Sequence, residues 1–352
     1  MLHYTGDIAV KNTYLDWVID QTRTKWWHDS ADAGELDLGL ERRAVGVTTN
    51  PLLSSAALKT SRALWCDEID AVLARKLPPE QHAEALMRIA VTRTTAKLLP
   101  QFQAAAGESG FVCAQVNPLR AGDRECMMPM ARRLHSWAPN IAVKLPATAA
   151  GLDVLEDCVA EGITVTATVS FTVPQVIAIA ERHRAGIARA RQTGVEPGKC
   201  FAVIMIGRLD DYLREVAHDN RVAVDESDIQ QAGLAVTKRA YSMYQKRGYE
   251  AVLLVAALRG ACHLTELAGA DLVMSIHPSW QGCFVSQEFP REERIGNPVP
   301  DEVVDRLRQM PEFVRAYEPD GMAPGEFVGY GPTQRTLSQF CETGWKPMEN
   351  FR

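Results

Sequence analysis

The sequence predicts an α/β fold, a single (β/α)8 or TIM barrel with an N-terminal helix before it and a C-terminal extension after it. Three observations carry this expectation. Short apolar runs recur along the chain, each ending in a polar residue or a turn. Helical patterns fill most of the gaps between them. No internal repeat, low-complexity tract or linker divides the 352 residues into separate units.

In chain order the runs are KWWHD (25–29), AVGVTTN (44–50), GFVCAQVN (110–117), NIAVKLP (140–146), GITVTATVS (162–170), CFAVIMIGR (200–208), EAVLLVAALR (250–259) and ADLVMSIHP (270–278). Their Val, Ile and Ala content is that of parallel strands covered on both faces. Between them, GLDVLEDCVAEG sets Leu152, Leu155 and Val159 on one helical face, with Gly162 beyond its end. Residues 171–190 and 226–247 also have amphipathic spacing, and 62–106 reads as two helices broken at Pro78-Pro79. Eight strand–helix alternations close naturally into a barrel, although a doubly wound open sheet uses the same alternation. Residues 1–24 are expected to form a leading helix with Leu15, Val18 and Ile19 on one side. Residues 288–352, rich in Pro, Gly and aromatics, read as an irregular extension that closes over the barrel mouth or sits at the subunit contact of a homodimer. One domain, 1–352, is therefore expected, with its strands within about 25–280.

Composition narrows the function. A net charge of −6 argues against a nucleic-acid surface, which carries a basic stripe. The start MLHYTGDIAV lacks a basic segment followed by an apolar one, and no apolar run approaches the length of a membrane span. Eight cysteines are scattered singly without a CxxC pair, as buried free thiols of a cytoplasmic protein would be. No His, Cys and carboxylate cluster has metal-ligand spacing, and neither a metal nor another cofactor is expected.

Barrel chemistry sits at the C-terminal ends of the strands. Those ends present Asp29, Thr49, Asn50, Gln115, Asn117, Lys144, Thr166, Thr168, Arg208 and Arg259. In NIAVKLP the apolar neighbours hold the Lys144 amine in poorly solvated surroundings, which favours a neutral nucleophile; the alternative is a lysine snorkelling to water. Asp29, after Trp26-Trp27-His28, suits proton transfer or helix capping, a task Ser30 or Asp32 could equally perform. Arg208 and Arg259 suit a bidentate phosphate clamp or ion pairs, with Asp210 and Asp211 close to Arg208. His28 and His277 suit either catalysis or structural hydrogen bonding. FVGYGPT neither follows a strand nor opens a helix in this reading, so it is not a phosphate loop.

At these residues the chain resembles the transaldolase family, including the fructose 6-phosphate aldolases. Gly46-Val47-Thr48-Thr49-Asn50-Pro51 is the most specific match. Val143-Lys144-Leu145-Pro146-Ala147-Thr148 with Ala150-Gly151-Leu152 looks like the family's Schiff-base lysine motif. Gly207-Arg208-Leu209-Asp210-Asp211 and Arg259 in AALRG, followed by ELAGAD, complete the set, so the resemblance spans roughly residues 25–280. It implies a (β/α)8 barrel and a metal-independent transferase of carbohydrate metabolism, in the pentose phosphate pathway. A dihydroxyacetone unit would pass from a ketose, or ketose phosphate, through an iminium on Lys144 to an aldehyde. Asp29 matches the family's acid/base, Asn50 a residue holding the dihydroxyacetone hydroxyls, Thr168 one that orients the catalytic water, and Arg208 and Arg259 the phosphate-binding arginines.

Several positions depart from the family pattern. Gln115 stands where transaldolases carry a glutamate, as it does in the aldolase branch, but that branch's water-binding tyrosine is Met205 here. The strand-five asparagine is Thr166, a substrate-contacting serine is Val203, and the serine preceding the phosphate arginine is Ala257. Thr49 and Thr166 remain candidate substrate contacts. Three readings follow: a transaldolase-like transferase, a class I aldolase releasing free dihydroxyacetone or a related ketone, and a sugar-binding homologue without turnover.

Overall fold

In the computed structural model, which describes residues 12–352, all eight runs form parallel strands closed in the order β1 to β8. They are β1 (Lys25–His28), β2 (Gly46–Val47), β3 (Phe111–Gln115), β4 (Ile141–Pro146), β5 (Val165–Thr168), β6 (Cys200–Met205), β7 (Val252–Ala256) and β8 (Val273–Ile276). The seam between the first and last strands pairs Lys25 with Val273 and His28 with Ile276. The closed ring settles the choice against an open sheet. Strand interiors are almost wholly buried, as expected of a ring wrapped by helices.

Pairing stops short of the ends of the runs because side chains and neighbouring loops capture the last backbone groups. Arg208 is an instance. It was expected at the end of the sixth strand, but the chain turns helical at Ile206, so Arg208 lies in the first turn of a helix. The Gly207 N–H donates to Ala257 O (3.2 Å) instead of continuing the sheet.

The helices before β3 are α1 (Tyr14–Gln21), α2 (Ala33–Glu41), α3 (Pro51–Thr60), α4 (Cys66–Leu73) and α5 (Pro79–Ala104). Of the leading helix predicted over 1–24, residues 1–11 lie outside the described residues. Thr13 starts the remainder through a capping box with Asp16 and buries Leu15 and Val18. The break at Pro78-Pro79 falls where predicted, with Pro79 opening α5. Then come α6 (Arg124–His135), α7 (Ala149–Ala160), α8 (Val173–Thr193), α9 (Ile206–Asn220), α10 (Glu226–Arg247), α11 (Cys262–Thr265) and α12 (Pro278–Ser286).

The extension is irregular only at its start, over 288–300, and mostly helical from Asp301 on. It forms α13 (Asp301–Leu307), α14 (Pro311–Tyr317), a 3₁₀ segment (Pro324–Gly329), α15 (Gly331–Gln339), a π-helical turn (Phe340–Trp345) and α16 (Lys346–Glu349). Pro311, Pro324, Pro332 and Pro347 sit in the first turns of these elements, where a missing N–H costs nothing, so they punctuate helices rather than abolish them. The FVGYGPT stretch accordingly does open a helix, though no strand precedes it. The π-helical turn packs on α3 so closely that a Cβ on Gly344 would approach the Leu52 nitrogen to 2.5 Å. Toward the strand starts, Trp27, Phe111 and Phe201 fill the barrel interior, with ring centroids 4.6 Å apart for Trp27–Phe201 and 5.6 Å for Phe111–Phe201.

The turn after β4 depends on Gly151. Thr148 caps α7 by accepting the Gly151 N–H (3.1 Å) and donates its own hydroxyl to Ala121 O (2.5 Å). A Cβ on Gly151 would fall 1.8 Å from Pro146 O, so the helix can start this close to the strand only with glycine there. Gly151→Ala is expected to cost about 1–3 kcal/mol of stability as the turn is pushed off β4, read as a lower denaturant midpoint. An unchanged midpoint would show that the contact constrains nothing.

Candidate active site

A cavity of about 310 Å³ lies at the C-terminal ends of the strands. It is lined by Asp29, Asn50, Lys144, Thr168, Arg208 and Arg259 among the predicted site residues, and also by Thr48, Val203, Met205, Leu254, Ser275, His277, Trp280 and Phe340. Six predicted site residues, from six different βα segments, are thus brought together.

Lys144 is only 6% exposed, which excludes a lysine reaching out to bulk water. Its Nζ donates to Thr49 O at 3.1 Å and makes no ion pair with a carboxylate among the described residues. Thr49 itself turns away: its hydroxyl donates to Cys113 O (2.7 Å), so this residue offers the cavity its backbone rather than its side chain. Asn50 caps α3, its Oδ1 accepting the Leu53 N–H at 2.9 Å, which aims the rest of the amide into the cavity mouth.

Asp29 is not a helix cap. Asp32 performs that task, accepting the N–H groups of Gly34 and Glu35 (3.0 Å each), while Ser30 donates to Glu35 at 2.5 Å. Instead Asp29 Oδ1 accepts the Thr48 hydroxyl at 2.6 Å. Thr48 Oγ1 also lies 2.5 Å from Ser275 Oγ. Because a hydroxyl has a single proton, the chain must run from Ser275 to Thr48 to the Asp29 carboxylate. Thr48 and Ser275 were not singled out in the sequence. The former was hidden inside its own motif, and the latter becomes a neighbour only through closure of the ring at β8.

Gln115 and Thr166 stand level with Lys144 in the β3–β4–β5 register, pointing the same way, but their shorter side chains do not line the cavity. Thr166 accepts the Cys113 thiol at 3.4 Å. Gln115 Oε1 is buried without a protein partner, as is the hydroxyl of Thr168, two residues farther up β5. Val169, directly after Thr168, holds a left-handed φ of 57°. Such strain persists only where surroundings enforce it, and here buried Gln175 does so, donating to Val169 O (3.2 Å) and accepting the Phe171 N–H (2.9 Å). Asn117 is a capping residue: its Oδ1 accepts the Leu119 N–H at 3.0 Å.

The two arginines differ. Arg208 is half-buried over the Phe340 ring (5.7 Å to its centroid), with Nη1 donating to Thr336 at 3.3 Å and Nε buried without a partner. Burial, and then the neighbouring Arg259, pull its pKa below the usual arginine range. Neither adjacent aspartate pairs with it. Asp210 Oδ2 contacts His263 Nε2 at 3.1 Å, with both side chains 2% exposed, and its Oδ1 accepts the Gly233 N–H at 2.8 Å. Burial pushes the Asp210 carboxyl up against these stabilising contacts. Asp211 pairs with Arg259, whose Nε and Nη2 lie 2.9 and 2.8 Å from Oδ2. His263, missed in the sequence, closes the arrangement by accepting the Arg259 N–H on Nδ1 (3.2 Å). Gly207 leaves room for it all, since a Cβ there would meet Arg259 Cγ at 2.3 Å.

His277 lines the mouth as the cap of α12, bonded to Ser279. Among the described residues, no group of three or more His, Cys, Asp or Glu side chains could hold a metal ion, and no helix is long and apolar enough to cross a membrane. All eight cysteines are free, but Cys66 and Cys126 are exposed, against the expectation of buried thiols throughout.

A family model described as transaldolase/fructose-6-phosphate aldolase matches residues 26–295. The transaldolase of Neisseria gonorrhoeae is 30% identical over 218 residues, covering 61% of this chain and 60% of that protein. Transaldolase 1 of Streptomyces avermitilis is 30% identical over 257 residues (68% and 66%). The transaldolase of Thiobacillus denitrificans is 27% identical over 294 residues (81% of each). The match to the Neisseria protein thus spans about 60% of that relative's length.

His28 is the structural residue under this site. It is fully buried, and its Nδ1 accepts from Gln281 Nε2 (2.9 Å), an amide nitrogen oriented by its second bond to Ile276 O (2.8 Å). A proton on Nδ1 would face that N–H. Burial, against the opposing pull of Asp29, holds the imidazole down to about 4, from an ordinary 6.5. The unfolded chain therefore takes up this proton first. Its contribution to stability is complete above pH 6.5 and is lost as pH falls toward 4, a change on the order of 3 kcal/mol. Between pH 7 and 4 the wild type should lose that much more stability than His28→Gln, measured by urea unfolding. Parallel curves would show that His28 is free to protonate in the folded protein.

Proposed function

The chain belongs to the transaldolase/fructose-6-phosphate aldolase family, and from that membership we propose that it transfers a dihydroxyacetone unit from a ketose, or ketose phosphate, to an aldehyde acceptor through a Schiff base on Lys144. The observation that carries this reading is that one cavity is lined by a buried lysine amine and by a carboxylate that no helix terminus occupies. The amine adds to the donor carbonyl, and loss of water leaves an iminium that accepts the electron pair of the breaking C3–C4 bond. Asp29, held by Thr48, takes the C4 hydroxyl proton in that step. The enamine then attacks the acceptor aldehyde, and hydrolysis of the new iminium releases the product.

Asn50 is assigned to the hydroxyls of the three-carbon unit, and Arg208 and Arg259 to the far, phosphate-bearing end of the sugar. Gln115 and Thr168 are assigned to a water, since each presents a buried polar atom with no protein partner. Eight free thiols favour a reducing compartment, and the cytoplasm is proposed. Aldol cleavage with release of the free ketone is the second reading, favoured by Gln115. An amide positions water but cannot share proton transfer as a carboxylate does.

Borohydride added with a ketose donor is expected to attach the three-carbon unit irreversibly to Lys144, identified by peptide mass spectrometry. Lys144→Ala should abolish both labelling and turnover. Labelling of another lysine would overturn the assignment, and turnover without any labelling would overturn the Schiff base itself; binding with neither points to a non-catalytic homologue.

Gln115→Glu should add an ionising limb to the pH–rate profile and change the partition between acceptor transfer and ketone release. A variant with the same profile and partition would make Gln115 a packing element of β3.

A further inference from the structure

The arginines at the cavity rim do not offer equal numbers of free donors. Arg259 presents its Nε and Nη2 edge to Asp211, and its Nη1 lies 3.1 Å from Ala257 O and 3.2 Å from Leu258 O. Every nitrogen of that guanidinium therefore has an acceptor already. Arg208, by contrast, keeps a buried Nε without a partner and a single long bond to Thr336. The carboxylate occupying Arg259 is anchored independently: Arg214 Nη1 donates to Asp211 Oδ1 at 3.2 Å, while Arg214 Nε is fixed by Glu226 at 2.8 Å. When Arg259 leaves Asp211, the carboxylate stays at the rim with its negative charge.

We propose that Asp211 is a specificity-determining residue that withholds Arg259 from the anionic end of the substrate and so lowers the advantage of phosphorylated over unphosphorylated sugars. The inference rests on the reading of Arg208 and Arg259 as contacts to the far end of the substrate. Asp211 acts in two ways. A phosphate monoester, bearing about −1.5 to −2 charges, must displace a carboxylate already in place on Arg259. It must then bind with that carboxylate still nearby, which an uncharged terminus does not feel. The Asp211–Arg259 pair is partly exposed, with side chains 39% and 44% accessible, so it is exchangeable rather than locked. Phosphate is thereby discounted, not excluded. The neighbouring Asp210–His263 pair is buried and holds the backbone under Arg259, so the guanidinium can swing while its base stays fixed.

The test is calorimetric titration of the full-length protein with inorganic phosphate, alongside kcat/KM for a phosphorylated ketose and its unphosphorylated parent. Asp211→Asn, and equally Asp211→Ser, should tighten phosphate by about two- to fivefold. The kcat/KM ratio should rise in favour of the phosphorylated donor by the same factor. Adding Arg259→Ala to Asp211→Asn should cancel the gain. Weaker phosphate binding in both Asp211 variants would mean that Asp211 aims Arg259 at the anion, and unchanged binding that it does nothing; either overturns the proposal. A gain that persists without Arg259, or no phosphate binding by any variant, overturns it as well. Borohydride labelling of Lys144 with the unphosphorylated ketose reports separately on the Schiff base. Its failure would leave the phosphate titration readable.

Discussion

One lysine amine, nearly excluded from water and held by a single backbone carbonyl, is the constraint around which the upper barrel is arranged. Lys144 Nζ bonds to Thr49 O, so the position of the β2 end decides where the amine points. That end is itself over-determined. The Thr49 hydroxyl ties it to Cys113 on β3, Thr48 ties it to Asp29 beside β1, and Asn50 converts it at once into α3. Three successive polar residues thus place three different parts of the site. This explains physically why β2 is the shortest strand: its backbone is released from the ladder to serve the lysine and the helix.

A second layer of constraint comes from buried polar groups that never touch the cavity. Gln175 holds the strained backbone beyond Thr168, His28 and Gln281 hold the junction of β1 with β8, and Asp210 with His263 joins the start of α9, which carries Arg208, to the segment after β7, which carries Arg259. Each is hydrogen-bonded in a place with little access to water, where an unmatched group costs far more than a matched one contributes, although His28 Nε2 keeps no partner. The C-terminal extension adds an outer wall. Thr336 and Phe340 contact Arg208, and Gly344 lets the π-helical turn lie against Pro51 and Leu52 at the head of α3. Phe340 of this segment lines the mouth of its own barrel.

The cavity walls are unlike one another. Polar side chains come from β1, β2, β4, β5 and β8, whereas β6 and β7 contribute Val203, Met205, Leu254 and Ala256. Arg208 and Arg259 follow that apolar wall in the chain and are the arginines that line the cavity.

The sequence by itself determined the eight strands and their order, and it singled out Lys144 and Asp29, which the fold brings to one cavity. Burial on both faces writes a parallel strand as an apolar run, and a strand end as the polar residue that stops it. It also carried the glycines, because Gly151 and Gly207 occupy places where any Cβ would strike backbone or Arg259. Tertiary structure alone decided which polar atoms meet. Ser275 reaches Thr48 across 227 residues of chain, Arg208 meets Thr336 across 128, and Asp211 meets Arg259 across 48. Local spacing set Asp211 between Arg208 and Arg214 in α9, and it bonds the second but not the first. The turn into α9 points Asp211 and Arg208 apart, and a carboxylate pairs with the cation it faces in space.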